Sequence, residues 1–452
     1  MSGNVSPACI RALLWILLAL CGSALAQDPP DAATAISEVL ASHPGVRSAQ
    51  FKVEAAEATL SGSRAQPNPT LTLSAVAGDP EENANSLVQT LEISGQPRIR
   101  HEQALAQLEA ARLELRSVRR RVAGEVYSGW IDVWERQRLA RLADLRMALM
   151  REMVRVSKRR YEVGEIPQNE SLRMELAEAE AEADQRKATA AYQAAVASLE
   201  LLRGQPLSTT TALDAQPNTP TLAPPAETPS LPVSTEGAKP LLAETSGMVF
   251  NGPSLSTEDG SWSLESTLLS AQNQLEVEAL RQEQRASVLA AELIGKERAP
   301  QLGLALYRSS LYNSGYEQGA QLSISWPIFD WGSVGARQRS QMANARAQES
   351  QIEEKILAFR KEVATLWNQW QAARSVRDIL ITQAERYEEL AREARIGYDL
   401  GLLTLTDVLQ TETAFRQAGV QLIQSQAEIR RLELSLLERT NLPWPSQLLE
   451  DR

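Results

Sequence analysis

The sequence predicts a mainly α-helical, internally duplicated protein with long coiled-coil helices and a few β-strands. The first observation is a repeat, because Tyr161–Glu175 and Tyr398–Glu412 align with each other without a gap. The second is the length of the helical patterns beside each copy, which exceeds that of helices in globular domains. The third is the scarcity of aromatic residues, 5% of the chain, which suits helices packed through small side chains. We therefore predict one duplicated architecture rather than separate domains.

The amino terminus, residues 1–26, has the features of a secretory signal peptide. Arg11 precedes an apolar run that ends at Leu20, and small residues permit cleavage after Ala26. The run is too short to span a membrane as a helix. Cys21 raises the alternative of a lipid anchor, although Leu20 stands where bacterial lipoprotein signals use a small residue. The sequence therefore predicts an exported protein.

The composition argues against several classes of function. Both cysteines, Cys9 and Cys21, lie in the predicted signal peptide, so we expect no disulfide and no thiolate metal site. With 46 basic and 57 acidic residues, the chain is a poor candidate for binding nucleic acid. His43 and His101 are the only histidines, and neither has a second ligand nearby, so we expect no bound metal. No nucleophile motif or phosphate loop occurs in a fitting context, so we expect neither a cofactor nor an enzyme.

The first repeat, residues 27–204, is predicted to fold as a helix, two strands and a long helical hairpin. Proline ends the first helix, period-two alternation marks the strands, and a long proline-free pattern marks the hairpin. The predicted elements follow the chain in this order: helix 31–63, strand 70–77, polar loop 78–85, strand 87–94, helix 98–161, turn 163–167, and a helix to about residue 203.

The second repeat, residues 264–441, is predicted to have the same elements. It follows a Pro-rich linker, residues 205–263, and precedes a short tail, residues 442–452. Two offsets relate the copies, here called the strand offset (Pro69 to Pro300) and the hairpin offset (Trp130 to Trp367). The hairpin offset is the larger. The second copy therefore carries six extra residues, which the alignment places near residues 326–335.

The last predicted helix, from about residue 405 to 439, carries a heptad pattern of large apolar residues. Small residues mostly follow each of them three positions later, as in a coiled-coil seam. The heptad positions are Val408, Phe415, Leu422, Ile429 and Leu436.

The predicted strands imply an assembly of several chains. Four alternating strands of about 8–12 residues have the length of membrane-spanning β-strands. Four strands cannot close a barrel, and open edges are not tolerated in lipid. Three copies supply twelve strands, enough for an open lumen, whereas the eight strands of two copies would leave only a filled interior. We therefore predict a homotrimer with a 12-stranded β-barrel in the outer membrane, continued by the long helices as a periplasmic α-barrel.

The repeated Tyr-x-x-Gly turns, the strand pairs after prolines and the motif Ser325–Asp330 together resemble the TolC-type outer-membrane efflux proteins. The resemblance covers residues 31–441. Arg64–Leu71 and Ile93–Pro97 are similar to the subgroup that serves heavy-metal pumps. The resemblance implies a passive exit duct for small solutes, either metal ions or drugs. The duct would be docked through a periplasmic adaptor to an inner-membrane pump.

The resemblance also implies which residues narrow the duct at its periplasmic end. Asp407 falls on the first aspartate position of the family aperture, and Gln410 replaces the aspartate at the second. Glu170 is the first-repeat counterpart of Asp407. Tyr398 matches the family's gate tyrosine, but Leu403 stands where its arginine partner is expected. On residue chemistry alone, Asp407 and Glu170 are better explained as acidic residues favoured at helix N termini, and only the trimer shifts the balance towards the aperture.

The two interhelical turns match the surface on which family adaptors dock. On residue chemistry alone, their glycines serve tight turns with positive φ angles. The residues assigned to adaptor contact are Val163, Gly164, Glu165, Leu400, Gly401 and Leu402.

Two other functions remain open at this point. The same fold also serves as the exit channel of type I protein secretion, which the sequence does not distinguish from solute efflux. A different class is a periplasmic coiled-coil adaptor or scaffold without a membrane barrel. Adaptors carry one helical hairpin and a lipoyl-like β-domain, whereas this chain is predicted to have two hairpins and two strand pairs.

Overall fold

The structure, a computed structural model, describes residues 32–76, 79–204, 263–311, 315–442 and 444. The helices are α1 (Ala32–Ser42), α2 (Pro44–Gly62), α3 (Gln96–Glu162), α4 (Gln168–Leu202), α5 (Leu264–Gln272), α6 (Leu275–Gly295), α7 (Ser333–Asp399) and α8 (Leu405–Arg439), with a 3-10 turn at Lys296–Arg298. The strands are β1 (Thr70–Val76), β2 (Asp79–Glu92), β3 (Gln301–Leu311) and β4 (Gly315–Ser325). The predicted signal peptide, nearly all of the linker and most of the tail lie outside the described residues.

The helical hairpins confirm the predicted duplication. Helices α3 and α7 each contain 67 residues, and α4 and α8 each contain 35. All four pairs of helix ends are related by the hairpin offset, so the register found in the sequence holds through both hairpins. At 1.5 Å per residue, α7 is about 100 Å long. Among the described residues, no helix is both long enough and apolar enough to cross a bilayer.

The first helical segment of each repeat is broken in two, which corrects the single helix predicted over residues 31–63 and its counterpart in the second repeat. The breaks lie at His43 and Gln274, which are related by the strand offset. His43 Nδ1 accepts a hydrogen bond from the Gly45 N–H (3.1 Å), and Gln274 Oε1 accepts one from the Glu276 N–H (2.7 Å). Both side chains cap the helix that follows, so the break belongs to the repeat.

Strand β2 begins at Asp79, which corrects the predicted polar loop over residues 78–85. One edge of β2 pairs with β1, for example at Thr72↔Ser86. Its other edge pairs with β3 from Ala84↔Ser309 onward. The ladder with β1 holds the first residues of β2, and both neighbours pair with it from Ala84 onward, so the polar side chains do not prevent a strand.

The four strands form one antiparallel sheet in the order β1-β2-β3-β4. Directly opposed residues share a face, and one row across all four strands is Leu71, Leu87, Leu306 and Ala320. The opposite face carries Thr, Ser, Gln and Gly at most positions whose side chains are described, together with Tyr307. Within the described residues, β1 pairs only with β2 and β4 only with β3, so each has one unpaired edge.

Contacts divide the described residues into two compact units, one made of residues 32–39 and 132–204, the other of residues 40–131 and those from 263 onward. The second unit contains the sheet and the α7–α8 hairpin. Its core includes Trp367 and Trp370, whose rings lie 5.1 Å apart, together with Ile429 and Leu436 of the predicted heptad. Along that heptad only Leu422 is half-buried rather than buried, so the predicted seam is confirmed.

Candidate functional site: the two helical tips

There are two candidate sites, each a five-residue turn: tip 1 (residues 163–167) lies between α3 and α4, and tip 2 (residues 400–404) lies between α7 and α8. Both begin with the same backbone motif. In tip 1 the Gly164 N–H donates to Tyr161 O (2.9 Å) and the Glu165 N–H to Arg160 O (2.9 Å). Such a pair of bonds is a Schellman motif, which satisfies carbonyl groups at the end of a helix.

Tip 2 repeats this motif at the hairpin offset. The Gly401 N–H donates to Tyr398 O (3.0 Å), and the Leu402 N–H donates to Gly397 O (2.7 Å). Gly164 and Gly401 have φ angles of +78° and +73°, in the left-handed region that glycine adopts without steric cost. Apart from the glycine itself and its two chain neighbours, no residue has an atom within 4 Å of the place where a Cβ would stand on Gly164 or Gly401. Glycine is therefore required by the backbone and not by crowding.

Apolar side chains are exposed at both tips. Val163 is 65% exposed in tip 1, and Leu400 and Leu402 are 68% and 77% exposed in tip 2. Glu165 lies beside Val163 in tip 1, and its carboxylate is 3.9 Å from the Arg160 guanidinium. The residues predicted to contact an adaptor therefore form exposed, partly apolar surfaces, which are typical of interaction sites.

Asp407 takes part in a capping box at the start of α8. The Thr404 N–H and hydroxyl donate to Asp407 Oδ2 (3.1 and 2.7 Å), and the Asp407 N–H donates to Thr404 Oγ1 (3.3 Å). The hydroxyl bond and the backbone bond from Thr404 lower the pKa of the Asp407 carboxyl below its ordinary value. Asp407 is exposed and is therefore charged at neutral pH. The carboxylate caps its own helix and still faces solvent.

The other residues assigned to the aperture lie in different surroundings. Gln410 is exposed on the first turns of α8, whereas Tyr398 is buried near the end of α7. Glu170 stands at the third helical position of α4, where its N–H donates to Pro167 O (3.0 Å). Pro167 precedes α4 without a side-chain cap, so tip 1 lacks the capping box of tip 2.

Leu403 fills the position where the family resemblance places an arginine. A Cβ added to Gly397 would lie 2.8 Å from Leu403 Cδ1, so this leucine packs directly on the last turns of α7. The residue therefore holds tip 2 against its own helix and cannot form a salt link to Tyr398.

A duplicated ion pair lies just beyond each tip, and sequence reasoning missed it. Lys158 Nζ is 3.0 Å from Glu175 Oε1 in the first hairpin, and Arg395 Nε is 2.6 Å from Glu412 Oε1 in the second. The Arg395 N–H does not point at that oxygen, so the contact joins charges without an aligned hydrogen bond. The sequence alignment already matched Glu175 with Glu412. Lys158 and Arg395 are related by the same hairpin offset, and this match of two basic residues was the signal that could have predicted the ion pairs.

Both histidines have structural partners. His43 caps α2, and His101 Nδ1 lies 3.0 Å from the Ser63 hydroxyl oxygen. Within the described part of the chain, no group of three or more His, Cys, Asp or Glu side chains is arranged to hold a metal ion.

A second exposed apolar surface lies on the sheet, at the opposite end of α7 from tip 2. Exposed apolar side chains cover one face of it, while the unpaired edges of β1 and β4 border it. These exposed residues are Leu71, Leu73, Leu87, Leu304, Leu306, Leu322 and Ile324.

Comparisons with known proteins agree on one family. A sequence profile described as "Outer membrane efflux protein" matches residues 35–205 and 268–441. No curated protein sequence matches this chain at a significant level.

Solved structures of outer-membrane channels share the fold. The outer membrane protein VceC from Vibrio cholerae is 15% identical, with a TM-score of 0.66, over 90% of this chain and 95% of that one. CusC is 17% identical, with a TM-score of 0.66, over 92% and 95%. The open state of the MtrE channel from Neisseria gonorrhoeae is 15% identical, with a TM-score of 0.65, over 91% and 88%.

Proposed function

Because this chain belongs to the outer membrane efflux protein family, we propose that it is the exit duct of a tripartite efflux system. In this role it carries small solutes, either metal ions or drugs, from an inner-membrane pump across the outer membrane. The duct itself is passive and makes or breaks no bonds. The pump supplies the energy and the direction.

The observation that carries this proposal is that exposed apolar surfaces lie at both ends of α7. The sheet, with its unpaired edges and exposed apolar face, lies near the start of the helix. Tip 2, with exposed Leu400 and Leu402, lies at its end, about 100 Å away. With the sheet in the outer membrane, tip 2 reaches deep into the periplasm. A chain of this kind can connect the outer membrane to a partner anchored on the other side of that space.

The sheet supports a homotrimer. Strands in lipid require partners on both edges, because water is not available to satisfy free backbone groups. In a ring of copies, β4 of one chain pairs with β1 of the next, and three chains close a 12-stranded barrel. The apolar face then faces lipid, and the Thr, Ser and Gln face lines the lumen.

The tips support docking to a periplasmic adaptor. Val163, Leu400 and Leu402 expose apolar area, and the Schellman motifs hold these side chains on short, rigid turns. A helical hairpin of an adaptor would bury them against its own apolar face, while Glu165 would contribute a polar contact. The free energy of that burial would couple the duct to the pump.

The helices beyond the tips support a gate. In the trimer, three copies of Asp407 and of Gln410 would approach the threefold axis, where an exposed carboxylate binds or repels cargo by charge. Tyr398 and Glu170 would contribute from their own helix ends. The Arg395–Glu412 ion pair keeps α7 and α8 together near this point.

Measurements on the purified protein and on a deletion strain test the proposal together. We expect trimers by mass measurement and ion conductance in planar bilayers. We also expect a deletion strain to be sensitised to divalent metals, dyes or antibiotics, with resistance restored by the intact gene. A monomer without conductance would overturn the duct. Loss of secreted proteins with unchanged resistance would instead assign the duct to protein secretion.

A further inference from the structure

The segment between β4 and α7, here called the β4–α7 loop (residues 326–332), holds most of the insertion that distinguishes the second repeat from the first. Its sequence is Trp326-Pro-Ile-Phe-Asp-Trp-Gly332. Seven residues separate β4 from α7, whereas three separate β2 from α3. Four of the six extra residues that the sequence register located therefore lie in this loop, and the other two extend β4 beyond the counterpart of Glu92.

The base of the loop is fixed to the 3-10 turn before β3. The Arg298 guanidinium donates two hydrogen bonds to Asp330 Oδ2 (2.9 and 2.7 Å), and Asp330 Oδ1 accepts one from the Gly332 N–H (3.1 Å). The Trp326 indole N–H donates to Arg298 O (3.2 Å). These bonds anchor both ends of the loop.

The remaining side chains of the loop extend away from the protein. Ile328 is 76% exposed, Phe329 is 82% exposed and Trp331 is 98% exposed. Trp331 also has a φ angle of +50°, an unfavourable backbone conformation for a bulky residue. Three large, exposed apolar side chains on an anchored loop are typical of a contact surface.

The junction of β2 with β3 shows how one repeat joins the next inside a chain. These strands pair antiparallel from Ala84↔Ser309 to Glu92↔Gln301. Just beyond them, the Ser94 hydroxyl donates to Pro300 O (3.5 Å). The segment after the second strand of one repeat thus lies against the residues that precede the first strand of the next.

The same junction can form between copies. Pro69 is the counterpart of Pro300 at the strand offset. Applying this offset to Leu91↔Leu302 places Leu322 of one copy opposite Leu71 of the next. Applying it to Glu92↔Gln301 places Ser323 opposite Thr70. Apolar residues meet on one face and polar residues on the other, so the register is chemically consistent.

We propose that the β4–α7 loop is a clasp between copies, which lies on Arg64–Pro69 of the next copy and covers it with Ile328, Phe329 and Trp331. This inference rests on the proposed trimer. Arg64–Pro69 precedes β1 and is mostly exposed in the single chain. The two repeats of one chain are joined covalently, whereas two copies are not, and association costs translational and rotational freedom. The extra apolar residues therefore occur at the junction between copies, where burial of apolar surface can offset the cost of association.

A lipid surface is the competing occupant, because tryptophan is enriched at membrane interfaces. The next copy is favoured by two observations. The shorter segment after β2 already lies against protein at Pro300, and ring closure brings the exposed segment before β1 to the equivalent place beside β4.

Cysteine cross-linking tests the register and the clasp separately. Disulfides require Cα atoms within about 7 Å. In one chain, β1 and β4 are separated by three strand spacings, about 14 Å, so a cross-link between them must join two copies. We expect the pair Ser323→Cys with Thr70→Cys to form a disulfide-linked trimer on a non-reducing gel. Each single-cysteine variant serves as the control.

The clasp itself is tested by Phe329→Cys with Asn68→Cys and a short bis-maleimide. We expect trimeric cross-links. A trimer that cross-links through Ser323 and Thr70 but not through Phe329 and Asn68 would refute the clasp and leave the duct intact. Quenching of the loop tryptophans by brominated lipids would also refute it, in favour of the bilayer. A monomer with neither cross-link would overturn the proposed function together with the clasp.

Substitution gives a second measurement that does not depend on cross-linking geometry. We expect Trp331→Ser to lower the temperature at which the trimer dissociates on a gel by several degrees. Leu402→Ser removes a similarly exposed side chain at the other end of α7 and should leave that temperature unchanged. An unchanged dissociation temperature for Trp331→Ser would count against the clasp.

Discussion

Gly164 and Gly401 carry the turns of the two tips through a property that only glycine has. Their positive φ angles cost an L-residue about 1 kcal/mol or more, and open space around them adds no steric penalty. We expect Gly401→Ala and Gly164→Ala to lower the thermal unfolding temperature of the detergent-solubilised protein by a few degrees. Gly62→Ala is the matched control, because Gly62 ends α2 with no positive φ angle and no neighbour within 4 Å. That control should be neutral or slightly stabilising.

Glu438 is a carboxyl whose pKa is raised, chiefly by burial, with a further contribution from Glu125 and opposition from Arg439. A raised carboxyl pKa means that the folded protein binds the proton more tightly than the unfolded chain. Stability therefore falls as pH rises from the ordinary value, 4.5, through the raised one. We expect Glu438→Gln to raise the unfolding temperature near pH 8 and to have little effect near pH 4.

Glu428→Gln provides the comparison for this prediction, since Glu428 is an exposed glutamate on the same helix. As a surface substitution it should leave the unfolding temperature near pH 8 almost unchanged. A lower unfolding temperature for Glu438→Gln at pH 8 would show that the carboxylate stabilises the fold, contrary to the burial argument.

At the scale of elements, the two ion pairs near the tips occupy equivalent positions in the repeats but differ in burial. Glu412 exposes 7% of its side chain and Glu175 exposes 42%. Breaking a buried pair leaves an uncompensated charge and costs about 3 kcal/mol, whereas an exposed pair contributes about 0–1 kcal/mol. We expect Glu412→Gln to lower the unfolding temperature clearly and Glu175→Gln to leave it almost unchanged. Equal effects of the two substitutions, measured by circular dichroism, would contradict the role of burial.

Periodicity located the long elements well and the short ones poorly. The pattern over residues 98–161 predicted a helix, and the structure has it at Gln96–Glu162. The prediction succeeded because apolar residues recur at helical spacing along the packed face of a long helix. The break at Gln274 was missed, since no proline marks it and its cap is a side-chain hydrogen bond. The early part of β2 was missed because pairing with β1 decides its conformation more than its own polar residues do.

At the scale of the whole molecule, Asp407 is the residue whose role depends on assembly. One copy is a helix cap, whereas three copies around an axis would form a charged ring. We expect Asp407→Ala to raise single-channel conductance or to reduce block by multivalent cations in planar bilayers. The loss of the cap itself costs about 1 kcal/mol of helix stability, which must be separated from the loss of charge.

Thr404→Ala makes this separation. It removes the hydroxyl of the capping box and keeps the carboxylate. If both variants change conductance and block alike, the cap explains the effect. If neither variant changes them, Asp407 has no place in the gate.

The sequence by itself determined the duplication, the lengths and register of the hairpins, the tips at Gly164 and Gly401, and the family. These features follow from local periodicity and from residues with special backbone preferences, which do not depend on distant partners. The tertiary structure decided the order of the strands, the capping role of Asp407, the burial of Glu412 and the exposure of Trp331. Each of these features depends on contacts between residues that are distant in the sequence, and local sequence patterns do not specify such contacts.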